Sequence, residues 1–172
     1  MILGAILAGG QARRFGSDKA LADVAGQRMI DRIAARLVEQ CDAVILCGRT
    51  LEGFRSVPDR PAAGLGPLGG LAAALRAAAD GGYARVLTVP CDVPDVPANL
   101  VARLGEAPGF AEDCPVIGLW PAVLADRIDT FLAGSDDRSL RAWARDCGAR
   151  PAPALGLANI NRPEDLADYL AR

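Results

Sequence analysis

One lysine stands among the 19 basic residues of the chain. It is Lys19, and it closes the loop Ala8-Gly9-Gly10-Gln11-Ala12-Arg13-Arg14-Phe15-Gly16-Ser17-Asp18-Lys19, which follows directly on the apolar run Ile2–Leu7. An ammonium is a compact, movable charge and a guanidinium a flat fork, so a chain that uses arginine everywhere else places a point charge here. Gly9 and Gly10 let backbone N–H groups approach phosphate oxygens and permit positive φ. With Arg14 and Lys19 to offset charge, the loop reads as a phosphate cradle; the alternative is a surface loop with solvated arginines. It is neither a Walker A loop nor G-x-G-x-x-G, and it is too long for the tight turn of a dinucleotide-binding fold.

Asp92 is the second chemical element. It lies just past the expected strand Arg85–Val89, in Pro90-Cys91-Asp92-Val93-Pro94. A carboxylate at a strand end, fixed between prolines, is placed to hold Mg²⁺, which takes one or two carboxylates and fills its octahedron with water and substrate phosphates. A turn or cap role is the competing reading. Asp95 competes with Asp92 but lies deeper in the following turn. Asp59, after Ser56-Val57-Pro58, reads either as a nucleotide contact or as a loop cap. A phosphate loop, a lysine and a strand-end Asp suffice for phosphoryl or nucleotidyl transfer, where catalysis is mainly positioning and charge compensation. A phosphomonoester nucleophile is already anionic near neutral pH, so no general base is needed. That agrees with a chain that has no histidine, which also excludes His triads and His zinc sites.

Alternating patterns position these residues. Ile2–Leu7, Ala43–Cys47 and Arg85–Val89 read as buried strands. Met29–Glu39 reads as a helix with Ile30, Ile33 and Leu37 on one face. Gly66-Pro67-Leu68-Gly69-Gly70 opens an alanine-rich helix over roughly Gly69–Ala79, ended by Gly81-Gly82. Further helices are expected from Pro97 to Leu104, near Ala122–Leu132, over Leu140–Asp146, and after Pro163 with Leu166 and Leu170 inward. The alternation predicts an α/β fold with a parallel sheet and right-handed crossovers, which gathers the strand ends at one edge. Ligands bind in the crevice there. The first loop, the Asp59–Leu68 loop and Pro90–Pro94 should meet at it.

A length of 172 residues is that of one domain, 1–172. The net charge of −2 argues against wholesale nucleic-acid or membrane binding. No apolar run reaches a membrane span, and no basic residue precedes Ile2–Leu7 as a signal peptide requires. Five cysteines without a C-x-x-C pair fit reduced thiols in a cytoplasmic protein.

Leu7-Ala8-Gly9-Gly10-x-x-x-Arg14-Phe15-Gly16-Ser17-Asp18-Lys19 resembles the L-A-G-G-x-x-x-R-M-G-x-D-K signature of the molybdenum cofactor guanylyltransferases (MobA type). Gly66-Pro67-Leu68-Gly69-Gly70 resembles the family's G-P-L-A/G-G element, and Pro90-Cys91-Asp92-Val93-Pro94 its P-C-D-x-P element. Asn159-Ile160-Asn161-Arg162-Pro163-Glu164-Asp165-Leu166 resembles its closing N-x-N-T-P-E-E-L. Any one motif is weak; all of them in order are specific. The resemblance implies a Rossmann-like three-layer nucleotidyltransferase fold with a mostly parallel sheet. It implies transfer of GMP from Mg-GTP to the terminal phosphate of molybdenum cofactor, with release of pyrophosphate. By matched position, Arg14 and Lys19 would contact the triphosphate and Asp92 would hold Mg²⁺. Leu7, Ala8, Gly9 and Gly10 would line the guanine and phosphate site by backbone, Asp59 would lie near the nucleoside, and Asn159 and Asn161 would face the pterin. Transient contact with other cofactor-biosynthesis proteins or molybdoenzymes is also implied, with the oligomeric state left open.

The sequence departs from the family pattern in two places. The family often carries a base-reading Asn after the second strand, where this chain has Leu46-Cys47-Gly48-Arg49. The family usually has a longer, strand-bearing segment where this chain has only Gly105–Cys114, so a reduced acceptor-side wall is expected. Open alternatives are a nucleotidyltransferase of the same fold acting on cobinamide phosphate or a sugar phosphate, and a non-catalytic nucleotide-binding module.

Overall fold

The computed structural model describes residues 1–9 and 19–171. Strand β1, Ile2–Leu7, is buried along its whole length, as expected of a parallel strand covered on both faces. A 3₁₀ turn at Lys19–Leu21 leads into a small hairpin of β2, Asp23–Val24, and β3, Gln27–Arg28. Helix α1, Met29–Val38, buries Met29, Ile30, Ile33 and Leu37. Then come β4, Ala43–Cys47, and the short β5, Ser56–Val57, followed by α2, Pro67–Asp80. Strand β6, Arg85–Pro90, precedes α3, Leu100–Leu104. The last third holds β7, Gly109–Ala111, β8, Cys114–Pro121, α4, Ala125–Gly134, α5, Leu140–Cys147, β9, Arg150–Ala152, and α6, Pro163–Leu170.

Seven strands form one sheet in the order β5-β4-β1-β6-β8-β7-β9. It is parallel except where β8 runs against β6 and β7. Side chains of β1 alternate between two cores. Ile2 and Ile6 pack with α1, whereas Leu3, Ala5 and Leu7 pack with α2. The helices therefore cover opposite faces, giving three layers. From β1 the chain winds outward to β4 and β5, then returns past β1 to start β6 on its other side. That reversal makes β1 the switch point of the sheet, where the crevice at the carboxyl edge opens.

Four local expectations are corrected. Helix α2 starts at Pro67 rather than Gly69, because Pro67 is pre-set for the first helical position. Helix α3 starts at Leu100 rather than Pro97: Pro97 O accepts from both Leu100 N–H and Gln40 Nε2, which holds Pro97–Asn99 as a turn. Leu170 is 51% exposed rather than inward, and α6 has no fully buried residue. The Gly105–Cys114 stretch contains β7, so it supplies a strand within its short length. Among the described residues no helix is long and apolar enough to cross a membrane.

Candidate active site

The ends of three strands lie in register. Leu7 pairs with Cys47 of β4 and with Pro90 of β6. The pairing runs one step past the strands: Ala8 N–H donates to Cys47 O at 3.0 Å, and Cys91 N–H donates to Leu7 O at 3.2 Å. Ala8–Gly9, Gly48 and Cys91–Asp92 are thereby brought side by side at the carboxyl edge.

Glycine makes this approach feasible. Gly48 has φ +84, and a β-carbon there would lie 2.4 Å from Gly9 Cα and 2.7 Å from Asp59 Oδ1. A β-carbon on Gly9 would lie 2.6 Å from Asp59 Oδ2. On the first turns of α2, a β-carbon at Gly69 would meet Asp59 Cβ at 3.3 Å, and one at Gly70 would meet Leu7 Cδ2 at 3.2 Å. Asp59 thus sits in a cradle of Gly9, Gly48, Gly69 and Gly70. Its Oδ1 is buried with no hydrogen-bond partner among the described residues. Burial raises its carboxyl above the ordinary carboxylate range. An acceptor in that state is suited to a ligand's N–H or O–H donors, because an unmet buried acceptor carries the full desolvation penalty. The thiol of Cys47 is pushed up to about 12 by burial and by the neighbouring Asp59 charge, so it is not a nucleophile at neutral pH.

Asp92 is only 9% exposed at the end of β6. Ile160 N–H donates to Asp92 O at 2.8 Å, tying the stretch before α6 to the carboxylate-bearing turn. Ile160 is 1% exposed, while Asn159 and Asn161 on either side are exposed. The Asp95 side chain is engaged by other residues: Arg32 Nη2 donates to it at 2.8 Å and the Tyr169 hydroxyl at 2.7 Å. Burial pushes the Asp95 carboxyl up, but these hydrogen bonds outweigh it and hold the group below the usual carboxylate range. No cluster of three or more His, Cys, Asp or Glu that could cage a metal occurs among the described residues. A cation at this edge would draw on Asp92 and on the substrate's own oxygens, the habit of Mg²⁺ with phosphates.

Residues 4–152 match the MobA-like NTP transferase domain. The chain belongs to that family. It is a nucleotidyltransferase whose curated relatives include the molybdenum cofactor guanylyltransferase of Rhodobacter capsulatus, 38% identical over 96% of this chain and 93% of the relative. The molybdenum cofactor guanylyltransferase of Acidiphilium cryptum is 35% identical over 94% of this chain and 90% of its own. Among solved structures, molybdopterin-guanine dinucleotide biosynthesis protein A from Archaeoglobus fulgidus superposes with a TM-score of 0.75 at 19% identity, covering 99% of this chain and 97% of the other. The 2-C-methyl-D-erythritol 4-phosphate cytidylyltransferase of Thermus thermophilus superposes at 0.62 with 17% identity, covering 99% of this chain and 96% of the other. These superpositions show the Rossmann-like nucleotidyltransferase fold.

Of the residues singled out in the sequence, Leu7, Ala8, Gly9 and Asp59 lie together at the edge, and Asp92 lies beside them with Asn159–Asn161. Gly10 and Arg14 lie outside the described residues, as does the side chain of Lys19, whose backbone opens the 3₁₀ turn. Sequence reasoning missed Gly48. A glycine directly after a strand, in place of the expected Asn, was the available signal: the close approach of Gly9 leaves no room there for a side chain.

Proposed function

We propose that this member of the MobA-like family transfers GMP from Mg-GTP to the terminal phosphate of molybdenum cofactor and releases pyrophosphate. The observation that carries the reading is the convergence, at the switch point of the sheet, of a glycine-backed acceptor at Asp59 and a buried carboxylate at Asp92. The Asn159–Asn161 stretch is bonded to the turn that bears Asp92. The near-full-length likeness to molybdenum cofactor guanylyltransferases names the nucleotide and the acceptor.

The chemistry follows from the parts. Asp59 would accept from the N1–H and N2 amino group of guanine, the donors on that edge of the base. Gly9 and Gly10 would present backbone N–H groups to the phosphates, and Arg14 and Lys19 would offset their charge. Asp92 would hold Mg²⁺, which when bound neutralises charge developing on the triphosphate. The acceptor's terminal phosphate is anionic near neutral pH and attacks the α-phosphorus directly, so the chain needs no general base. Asn159 and Asn161 would meet the pterin side of the acceptor. In this reading residues 1–172 act as a single nucleotidyltransferase domain.

The test is pyrophosphate release from Mg-GTP with molybdenum cofactor, cobinamide phosphate and a sugar phosphate as acceptors, preceded by a melting-temperature screen of GTP, CTP, ATP and UTP. Release with GTP and molybdenum cofactor supports the proposal. Release only with another acceptor replaces the acceptor and keeps the class, and nucleotide binding without release from any acceptor contradicts catalysis.

A further inference from the structure

The turn that carries Asp92 is held from outside itself. Pro90, Pro94 and Pro97 have no N–H to donate, and the supports come from distant segments. Ile160 N–H donates to Asp92 O at 2.8 Å. Arg32 Nε donates to Pro94 O at 3.2 Å, and Gln40 Nε2 to Pro97 O at 2.9 Å.

Two of these segments meet at Asp95. From α1, Arg32 Nη2 donates to Asp95 Oδ1 at 2.8 Å. From α6, the Tyr169 hydroxyl lies 2.8 Å from the same oxygen and 2.7 Å from the other. Arg32 Nη2 also lies 3.5 Å from the Tyr169 oxygen. No residue of α6 is fully buried, and Leu166 and Tyr169 are its partly buried apolar contacts with the core. Tyr169 is therefore a principal attachment of the helix that follows Asn159–Asn161. The side chains of the Arg32–Asp95 pair are 35% and 48% exposed, and pairs so open to water add little to stability. What this network does fix is geometry: it ties α1, α6 and the turn bearing Asp92 to one carboxylate.

We infer that Arg32, Asp95 and Tyr169 form a latch that sets Asp92 and the Asn159–Asn161 stretch in position together, with Arg32 and Tyr169 as positioning residues. The latch rests on the reading of Asp92 as the carboxylate that holds Mg²⁺. Losing a hydroxyl that fixes Asp95 loosens the turn three residues from that carboxylate, and the loss is felt first as weaker metal binding.

The test is a Mg²⁺ titration of the GTP-saturated protein, followed by melting temperature, on wild type, Tyr169→Phe, Asp95→Ala and the double variant. Half-saturating Mg²⁺ should rise about three- to tenfold in each single variant, less than the roughly 10–100-fold that direct partners of metal ligands contribute, because the latch acts through the turn. The metal-free melting temperature should change little, and turnover at saturating Mg²⁺ should stay near wild type. The double variant should be no worse than Asp95→Ala alone, because alanine at 95 already removes the bond to the Tyr169 hydroxyl. Should Tyr169→Phe not fold, Asp95→Ala alone carries the comparison of half-saturating Mg²⁺ with metal-free melting temperature. A lower metal-free melting temperature with unchanged half-saturating Mg²⁺ would mean a merely structural tie and overturns the latch, as do additive shifts in the double variant. A wild-type curve that does not respond to Mg²⁺ overturns the reading of Asp92 and the latch with it, and the wild type alone tells that outcome apart.

Discussion

Gly48 and Gly9 meet backbone to backbone, so closely that a β-carbon on Gly48 would stand 2.4 Å from Gly9 Cα and 2.6 Å from Gly9 N. Gly48 also sits at φ +84, a conformation L side chains rarely adopt. Gly48→Ala combines strain with a clash against backbone that cannot swing aside. It should lower stability by about 1–3 kcal/mol and push Gly9 out of line with Asp59. Melting temperature and GTP titration check this together: both should drop, whereas Gly53→Ala, also at positive φ but with open space around it, should lower melting temperature and spare GTP.

Asp59 gives a pH signature. Burial holds its carboxyl above the ordinary range in the folded protein. Such a group keeps its proton longer when folded than when unfolded. Its contribution to stability is therefore intact below the unfolded value and is lost as pH rises from there through the folded value. Asp59→Asn removes that loss, so at neutral pH the variant should melt above wild type, with the advantage gone in acid. Nucleotide binding should move the other way. GTP affinity of the wild type should fall as pH drops through the folded value, and Asp59→Asn should bind GTP weakly, by about tenfold or more, with that pH dependence absent. Melting curves and GTP titrations from acid to neutral pH read both effects.

Lys19→Ala should slow turnover by roughly two to three orders of magnitude, about 3–4 kcal/mol, the size of losing one pre-placed charge-stabilising donor. Lys19→Arg should not restore it fully, since a planar fork does not replace a compact ammonium. Single-turnover pyrophosphate release is the readout, and wild-type rates in Lys19→Ala would remove Lys19 from the mechanism.

Asp92→Asn should abolish most of the Mg²⁺-dependent activity while GTP still raises the melting temperature. Full activity in that variant would leave Asp92 as a turn residue only.

The central strands were legible because each is a short, mainly apolar run with glycine or proline close by: Ile2–Leu7, Ala43–Cys47, Arg85–Pro90. So was the carboxyl edge they build, since parallel pairing through right-handed crossovers aligns the strand ends. Strand β8 was not legible. It contains Pro115 and Gly118, which argue against a strand in a single sequence. Gly118 is needed because a β-carbon there would lie 2.6 Å from the Trp120 ring, and the ring is fixed by Trp120 Nε1 donating to Thr88 Oγ1 at 3.0 Å. At the site, the motif residues stood out by type and spacing. The joint of Arg32, Asp95 and Tyr169 did not, because its members lie far apart in the chain and none is unusual alone. The exposed Leu170 followed the helical period correctly but falls on the last turn of α6, beyond the reach of the core.

The most direct measurement is a crystal structure of the protein with GTP and Mg²⁺ bound. It should show the guanine edge at the Asp59 carboxylate, the triphosphate along Gly9–Lys19, and the metal about 2.1 Å from an Asp92 carboxylate oxygen. A nucleotide seated away from the ends of β1, β4 and β6, or a metal that leaves Asp92 uncoordinated, would contradict the account.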